Sequence, residues 1–273
     1  MTEKLSFIQN EMFNIAKIIH KICEDNNIRY AICGGTLIGA VRHKGFIPWD
    51  DDFDIIMPRE DFNKFLDVWR DFSQYKISKN GDKDYYKVST PAKIHNSNTR
   101  VVEFGEVENG IGENFITQGV FVDIFPIDLY PDNFIGKLIN KYLGKLNMKK
   151  AESQFSMNLR PRFTRLVIHA FKYIPKKIID MLIDYGIKYI YTHSNKNIKV
   201  GYGVETAINN LWVDPKVIFP FKKNMLINDF YFYAPANSDE YLKHRFGDYM
   251  KLPPIELRKA HIDKLFINGQ EII

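Results

Sequence analysis

The sequence predicts an α/β (α+β) fold: a catalytic core of mixed strands and helices, a helical insertion, and a C-terminal lobe packed on the core. Three observations carry that expectation. Over residues 5–125, helical stripes alternate with short apolar runs bounded by turn residues. From about Asn133 to His193 the spacing is helical, broken at Pro161 and Pro175. With 273 residues, 45% of them apolar and 14% aromatic, the chain can bury a sizeable core, which excludes disorder, collagen-like repeats and a disulfide miniprotein. The expected divisions are 1–130 for the core, 131–200 for the insertion and 201–273 for the lobe, joined as one composite domain.

The elements follow in order. Leu5, Ile8, Met12, Ile15, Ile19 and Ile22 recur at spacings of three and four, which predicts a helix over residues 5–25 closed by Asp25-Asn26-Asn27. Tyr30-Ala31-Ile32-Cys33 reads as a short strand, and Gly34-Gly35-Thr36 leads from it into a brief helix ending near Val41. After the Lys44-Gly45 turn, Phe53 to Met57 reads as a second strand. Pro58 then opens a helix with Phe62, Phe65, Leu66 and Trp69 inward. Strand-like pieces follow at Lys76-Ser78, Tyr85-Thr90, Ala92-His95, Arg100-Phe104 and Phe121-Phe125. Beyond Gly201 the chain is mixed and aromatic-rich, with a last helix near Ser238–Phe246.

Charge is segregated along the chain. Residues 131–200 hold 14 Lys/Arg against 4 Asp/Glu, a local +10, so the remainder carries −5 of the net +5. Cys23 and Cys33 have no metal-ligand spacing and are expected as buried free thiols. The opening residues lead into an amphipathic helix rather than a signal segment, and no apolar stretch approaches the roughly 18 residues of a membrane span. The expected location is the cytoplasm, with peripheral contact at the inner face of the cell membrane left open.

The most informative segment is Pro48-Trp49-Asp50-Asp51-Asp52-Phe53-Asp54. On a strand Asp52 and Asp54 share one face, roughly 6–7 Å apart at Cβ, with Asp50 joining them if the strand starts early. Alone, two such carboxylates about 4 Å apart repel by roughly 4 kcal/mol at an effective dielectric near 20. A hard divalent cation with oxygen ligands turns that repulsion into binding, and Mg²⁺ prefers one or two carboxylates plus substrate phosphates. Asp51 is expected to face the other way, solvated, and Asp128 to sit in a loop or cap. Upstream, Gly34-Gly35-Thr36 lets the backbone approach a ligand and aims free N–H groups of a helix N-terminus at an anion. A phosphate-cradling turn about 17 residues before an Asp-x-Asp strand is the pairing expected of a metal–diphosphate site. Arg42, with its planar fork, and His43 follow the short helix within reach of such phosphates.

The run from Gly34 to Asp54 resembles the opening block of the LicD family, which groups bacterial phosphocholine transferases with fukutin-type ribitol-phosphate transferases. The resemblance spans about Ala31 to Phe65, resumes at Val122-Asp123-Ile124-Phe125-Pro126-Ile127-Asp128, and returns at Tyr241, Phe246-Gly247-Asp248-Tyr249-Met250, Pro253-Pro254, Arg258 and His261. It implies a nucleotidyltransferase-like mixed sheet. The implied reaction moves a phospho- or phosphono-alkanolamine group from a CDP- or CMP-linked donor to a sugar hydroxyl of a cell-surface glycan precursor, releasing CMP. Two alternatives stay open: transfer of the nucleotidyl group itself to a small hydroxyl compound, and a non-catalytic subunit binding membrane or glycan precursor.

Asp52, Asp54 and Asp50 are then expected to hold Mg²⁺ or Mn²⁺. Asp123, from a neighbouring strand, would complete a second ion site or orient the attacking hydroxyl. Gly34, Gly35 and Thr36 would cradle the donor phosphates. Arg42 would contact them, and His43 would serve as general base or hydrogen-bond donor. Lys93 resembles a basic position of the family. Arg258 and His261, three apart, would share a helix face and close over the site or cap a C-terminal helix. Trp212, Tyr202, Phe219 and Tyr231 are available to box an ammonium head group. The resemblance implies acceptors that are often lipid-linked saccharides, so the basic segment 131–193 has two readings: helices lying on an anionic membrane, at about 1 kcal/mol per basic residue, or solvated helices packed on the core. Nucleic acid is not an expected partner.

Overall fold

A computed structural model describes residues 3–80, 82, 90–108, 119–155, 157–194, 199–206, 208 and 212–272. The first half runs α1 (Glu3–Asp25), β1 (Ala31–Ile32), α2 (Gly34–His43), β2 (Asp54–Pro58), α3 (Arg59–Val68), β3 (Tyr75–Lys79), β4 (Ala92–Asn96), β5 (Thr99–Glu103), α4 (Phe104–Glu108) and β6 (Phe121–Leu129). The second half runs α5 (Phe134–Glu152), α6 (Arg162–Ala170), α7 (Lys176–His193), β7 (Val200–Tyr202), α8 (Pro215–Ile218), β8 (Lys222–Ile227), β9 (Phe230–Ala234), α9 (Ser238–Phe246), β10 (Ile262–Ile267) and β11 (Gln270–Ile272). The strand-like stretch Tyr85-Thr90 falls, apart from Thr90, outside the described residues.

The main sheet is mixed, in the order β1-β2-β6-β4-β3, with β7 also on β6. β2 runs parallel to β6, pairing Asp54 with Asp123 and Pro58 with Ile127. The other edge of β6 is shared: β4 pairs antiparallel with residues 121–124 and β7 with residues 127–129. Pro126, which has no N–H to donate, falls in the gap between those two partners. Because β6 is covered on both faces, eight consecutive residues from Phe121 to Asp128 are buried, so the strand reads as an apolar run rather than an alternation.

α1 lies across the core with Ile8, Met12, Ile15, Ile19 and Cys23 inward. Phe232 of the β8–β9 hairpin packs against Phe13 and Phe53, and Tyr241 and Leu265 enter the same continuous core. A second sheet, β5-β10-β11, joins residues 99–103 to the end of the chain. α5 and α7 are antiparallel: Asn133 at the start of α5 bonds the His193 carbonyl at the end of α7. Gly186 permits their close approach, since a Cβ there would lie 2.4 Å from Leu143 Cδ1.

Local differences from the sequence reading have local causes. Gly34 and Gly35 form the first turn of α2 rather than a loop before it, because Gly34 at φ +57° turns the chain directly from β1 into the helix. Asp128 is not in a loop: it is buried within β6, where it accepts two bonds from the Arg59 guanidinium. Arg258 and His261 do not share a helix. Arg258 ends a single 3₁₀ turn, Ile255–Leu257, and His261 precedes β10, with the His261 and Ile262 N–H groups bonded to Asp51 instead of to a preceding helical turn.

Candidate active site

The site forms where β1 ends and β2 and β6 begin, beside the N-terminus of α2. Thr36 accepts the Asp54 backbone N–H through its hydroxyl (2.8 Å), and the Cys33 N–H bonds the Asp54 carbonyl, so the glycine turn and the first residue of β2 are locked together. The Asp123 N–H donates to the Phe53 carbonyl (2.8 Å), which sets Asp123 beside Asp54 in register. The carboxylates press on the glycines. A Cβ on Gly34 would stand 2.3 Å from Asp54 Oδ2, and one on Gly35 2.8 Å from Asp50 Oδ2. Glycine is needed at both positions, and the carboxylates occupy the space.

Electrostatics describes an overcrowded acidic cluster. Burial, then the Asp52 and Asp51 charges, push Asp50 up to about 8. Burial and Asp123 push Asp52 up to about 6. Asp54 is raised well above the usual carboxylate range by burial and by Asp52 and Asp123, with the Arg245 guanidinium opposing. Asp123 is held differently: Lys93, 3% exposed and directly across from it on β4, pairs with Oδ1 at 2.7 Å, and the Thr90 hydroxyl donates to Oδ2.

Among the described residues no three His, Cys, Asp or Glu side chains surround one point in metal-ligand geometry. Such a cage is not what Mg²⁺ requires, since one or two carboxylates and phosphate oxygens suffice. Asp50, Asp52 and Asp54 supply oxygen donors whose mutual repulsion a divalent cation would relieve, so the donor set fits the expected ion.

A basic rim faces this cluster. Arg42 donates through Nη1 to the Tyr249 carbonyl (2.8 Å) and through Nε to His43 Nε2 (2.9 Å), and lies within electrostatic reach of both Asp50 and Arg258. Arg258 stacks 5.2 Å over Trp49. His43 has Arg42 and Trp49 as neighbours, and its pKa is lowered by burial and by Arg42. His261 is pushed up to about 9, chiefly by its bond to Asp51, with Asp52 and Asp50 adding to the rise. A cavity of about 600 Å³ opens beside Trp49, Asp51, Phe104 and Arg258. The larger one, about 750 Å³, lies elsewhere, between Cys23, Arg29, Tyr30, Phe219 and Pro220, and none of the carboxylates lines it.

Two residues here escape a sequence reading. Asp51 is not solvated: at 2% exposure it accepts the backbone N–H groups of His261 and Ile262, at 2.7 and 2.6 Å, and the His261 ring, tying the end of the chain to the acidic segment. Arg245, in the last turn of α9, donates to the Tyr202 hydroxyl behind Asp54. Its sequence context, Lys243-His244-Arg245, resembles any basic helix end. The four aromatics do not gather: Tyr202 is buried against Phe125, Trp212 packs on Tyr130, Phe219 on Phe221, and Tyr231 is exposed. Cys23 and Cys33 are free and buried.

A glycine turn at a helix N-terminus is here set against carboxylates from two parallel neighbouring strands of a mixed sheet. Residues 27–157, just under half of the chain, match the family model described as LicD/FKTN/FKRP, nucleotidyltransferase domain. The chain is 27% identical over 270 residues, 95% of this chain and 97% of the other, to the lipopolysaccharide cholinephosphotransferase LicD of Haemophilus influenzae. Two uncharacterized proteins, of Rickettsia typhi and Rickettsia prowazekii, are 44% and 42% identical over 71 and 69 residues, about a quarter of each chain.

Proposed function

We propose that this LicD-family phosphotransferase moves a phospho- or phosphono-alkanolamine group from a CDP- or CMP-linked donor to a sugar hydroxyl of a cell-surface glycan precursor, with CMP as leaving group. The observation that carries this reading is the convergence of Asp54 and Asp50 on the Gly34-Gly35 turn, with Asp52 within electrostatic reach of both. Phosphocholine is the first group to test, because the Haemophilus relative bears that activity in its name and aligns along nearly the whole chain.

In this mechanism the N–H groups at the start of α2 take up a donor phosphate. Asp52 and Asp54, with Asp50 beside them, would hold Mg²⁺ or Mn²⁺, and the ion would supply charge neutralisation for the diphosphate. Asp123, fixed by Lys93 and Thr90, orients the acceptor hydroxyl for in-line attack. The new bond joins acceptor oxygen to the transferred phosphorus, the anhydride bond to CMP breaks, and the hydroxyl proton passes to the Asp123 carboxylate. Arg42, steadied by His43 and Tyr249, and Arg258 compensate charge on the departing phosphate. Catalysis is then mostly positioning and charge neutralisation.

The test is a panel of CDP-choline, CDP-ethanolamine, CMP-aminoethylphosphonate, CDP-glycerol and CDP-ribitol with the purified chain, with and without Mg²⁺, following thermal stability and CMP. The donor should add about 2.7 kcal/mol at a hundredfold excess over its dissociation constant, only with metal present. Free CMP after acceptor is added supports the proposal; a CMP-substituted acceptor would establish nucleotidyl transfer instead.

A further inference from the structure

Large apolar side chains left in water are not scattered over this molecule. Among the described residues, 13 of the 21 exposed large hydrophobics fall between Phe134 and Tyr185. α7 carries two apolar faces: Ile179, Ile183 and Ile190 turn inward, while Ile178, Met181, Leu182 and Tyr185, at spacings of a single helical stripe, are exposed. α5 repeats the pattern, with Leu143 inward and Ile135, Leu138 and Tyr142 outward. Beside them Phe163 and Leu166 of α6 are 78% and 70% exposed, and Tyr173 on the following turn is 88% exposed.

These stripes form one face. At roughly 100° per residue, each is turned about a quarter-circle, in the same sense, from the contact that Ile139 and Leu143 make with Gly186. Since α5 and α7 are antiparallel, both stripes open on the same side. Exposed cations border them: Lys141 and Lys145 on α5, Arg162 on α6, and Lys172 and Lys177 toward α7. The segment's 14 basic residues against 4 acidic ones oppose pairing of two copies face to face through it. An apolar surface bordered by cations instead complements an anionic bilayer, with aromatic and aliphatic side chains at the headgroup boundary and cations on lipid phosphates. Among the described residues no helix is long and apolar enough to cross a membrane.

We infer that α5, α6 and α7 together are a peripheral docking surface for an anionic lipid leaflet. The inference stands independently of the transfer reaction. The test is co-sedimentation of the full chain with vesicles of phosphatidylcholine alone or mixed with phosphatidylglycerol, at low and high salt. Binding to the anionic vesicles is expected, weakened by salt and at least tenfold tighter than to the neutral ones. A variant carrying Phe163→Ser, Leu166→Ser and Tyr173→Ser should lose binding at least tenfold, as should Lys141→Glu with Lys145→Glu and Lys177→Glu. Both variants should keep the thermal melt and any CMP release of the parent, because these side chains are exposed and absent from the active site. Absence of binding to anionic vesicles would overturn the inference, as would binding indifferent to both variants. A stable dimer in light scattering that the serine variant dissolves would assign the face to a second copy instead.

Discussion

Asp51 accepts two backbone N–H groups and an imidazole from residues 210 and 211 positions away. Removing its carboxylate strands two inward-facing N–H groups, so Asp51→Ala should cost about 2–4 kcal/mol in denaturant unfolding, and Asp51→Asn should recover most of that. The His261 ring, largely in water, adds less than about 1 kcal/mol. Its raised pKa fixes the sign: that contribution is complete below about 6.5 and disappears as pH rises through about 9. Gly34 makes the opposite point, since what matters there is the absence of a side chain. In Gly34→Ala the left-handed φ costs about 1–2 kcal/mol, and the new Cβ, 2.3 Å from Asp54 Oδ2, must displace the carboxylate. CMP release should fall more than tenfold, well beyond what lost stability explains; near-parental turnover would remove Asp54 from the chemistry. The sequence pattern flags Gly34, Asp52 and Asp54 because their partners are near in sequence and their chemistry depends on spacing. Asp51 is invisible for the converse reason: alternation points it outward, and its partners come from the far end of the chain.

Elements meet through a buried charge network. Arg59, first residue of α3, binds Asp128 of β6 and Glu205 just beyond β7, with the Tyr191 hydroxyl of α7 also on Asp128. It ties the strand that carries Asp123 to the helical insertion. Arg59→Ala would leave two carboxylates buried without their cation and should destabilise the protein by about 3–5 kcal/mol in denaturant unfolding. A loss below about 1 kcal/mol would mean that the network contributes little. Local signals give the elements themselves well: the three-and-four spacing of Ile8, Met12, Ile15 and Ile19, the apolar run Phe121-Phe125, and Pro58 before α3. Pairing is less legible. Nothing near Asp128 announces Arg59, and the Arg258–His261 spacing suggests a helix because Asp51, which takes the His261 and Ile262 N–H groups, lies far away in sequence.

At the scale of the whole molecule, the fold gathers acidic groups on one site at a cost to its own stability. In an unfolded chain Asp50, Asp52 and Asp54 titrate near 3.8; folded, Asp50 rises to about 8, Asp52 to about 6, and Asp54 well above the ordinary range. Between the unfolded and folded values the native state binds more protons, so stability falls as pH rises across that interval. Metal-free protein should therefore lose melting temperature from about pH 5 to pH 8, by the equivalent of about 2–5 kcal/mol. Mg²⁺ should restore most of that loss at pH 8 and little at pH 5, where protons already neutralise the cluster. Asp52→Asn should flatten the profile, raise the metal-free melting temperature at pH 8, and abolish CMP release. The discriminating comparison is scanning calorimetry with chelator or Mg²⁺ at both pH values. A profile that rises throughout, or a metal effect equal at the two, would mean that these carboxylates are neither strained in the folded protein nor relieved by a cation, and the proposed transfer would lose its physical basis.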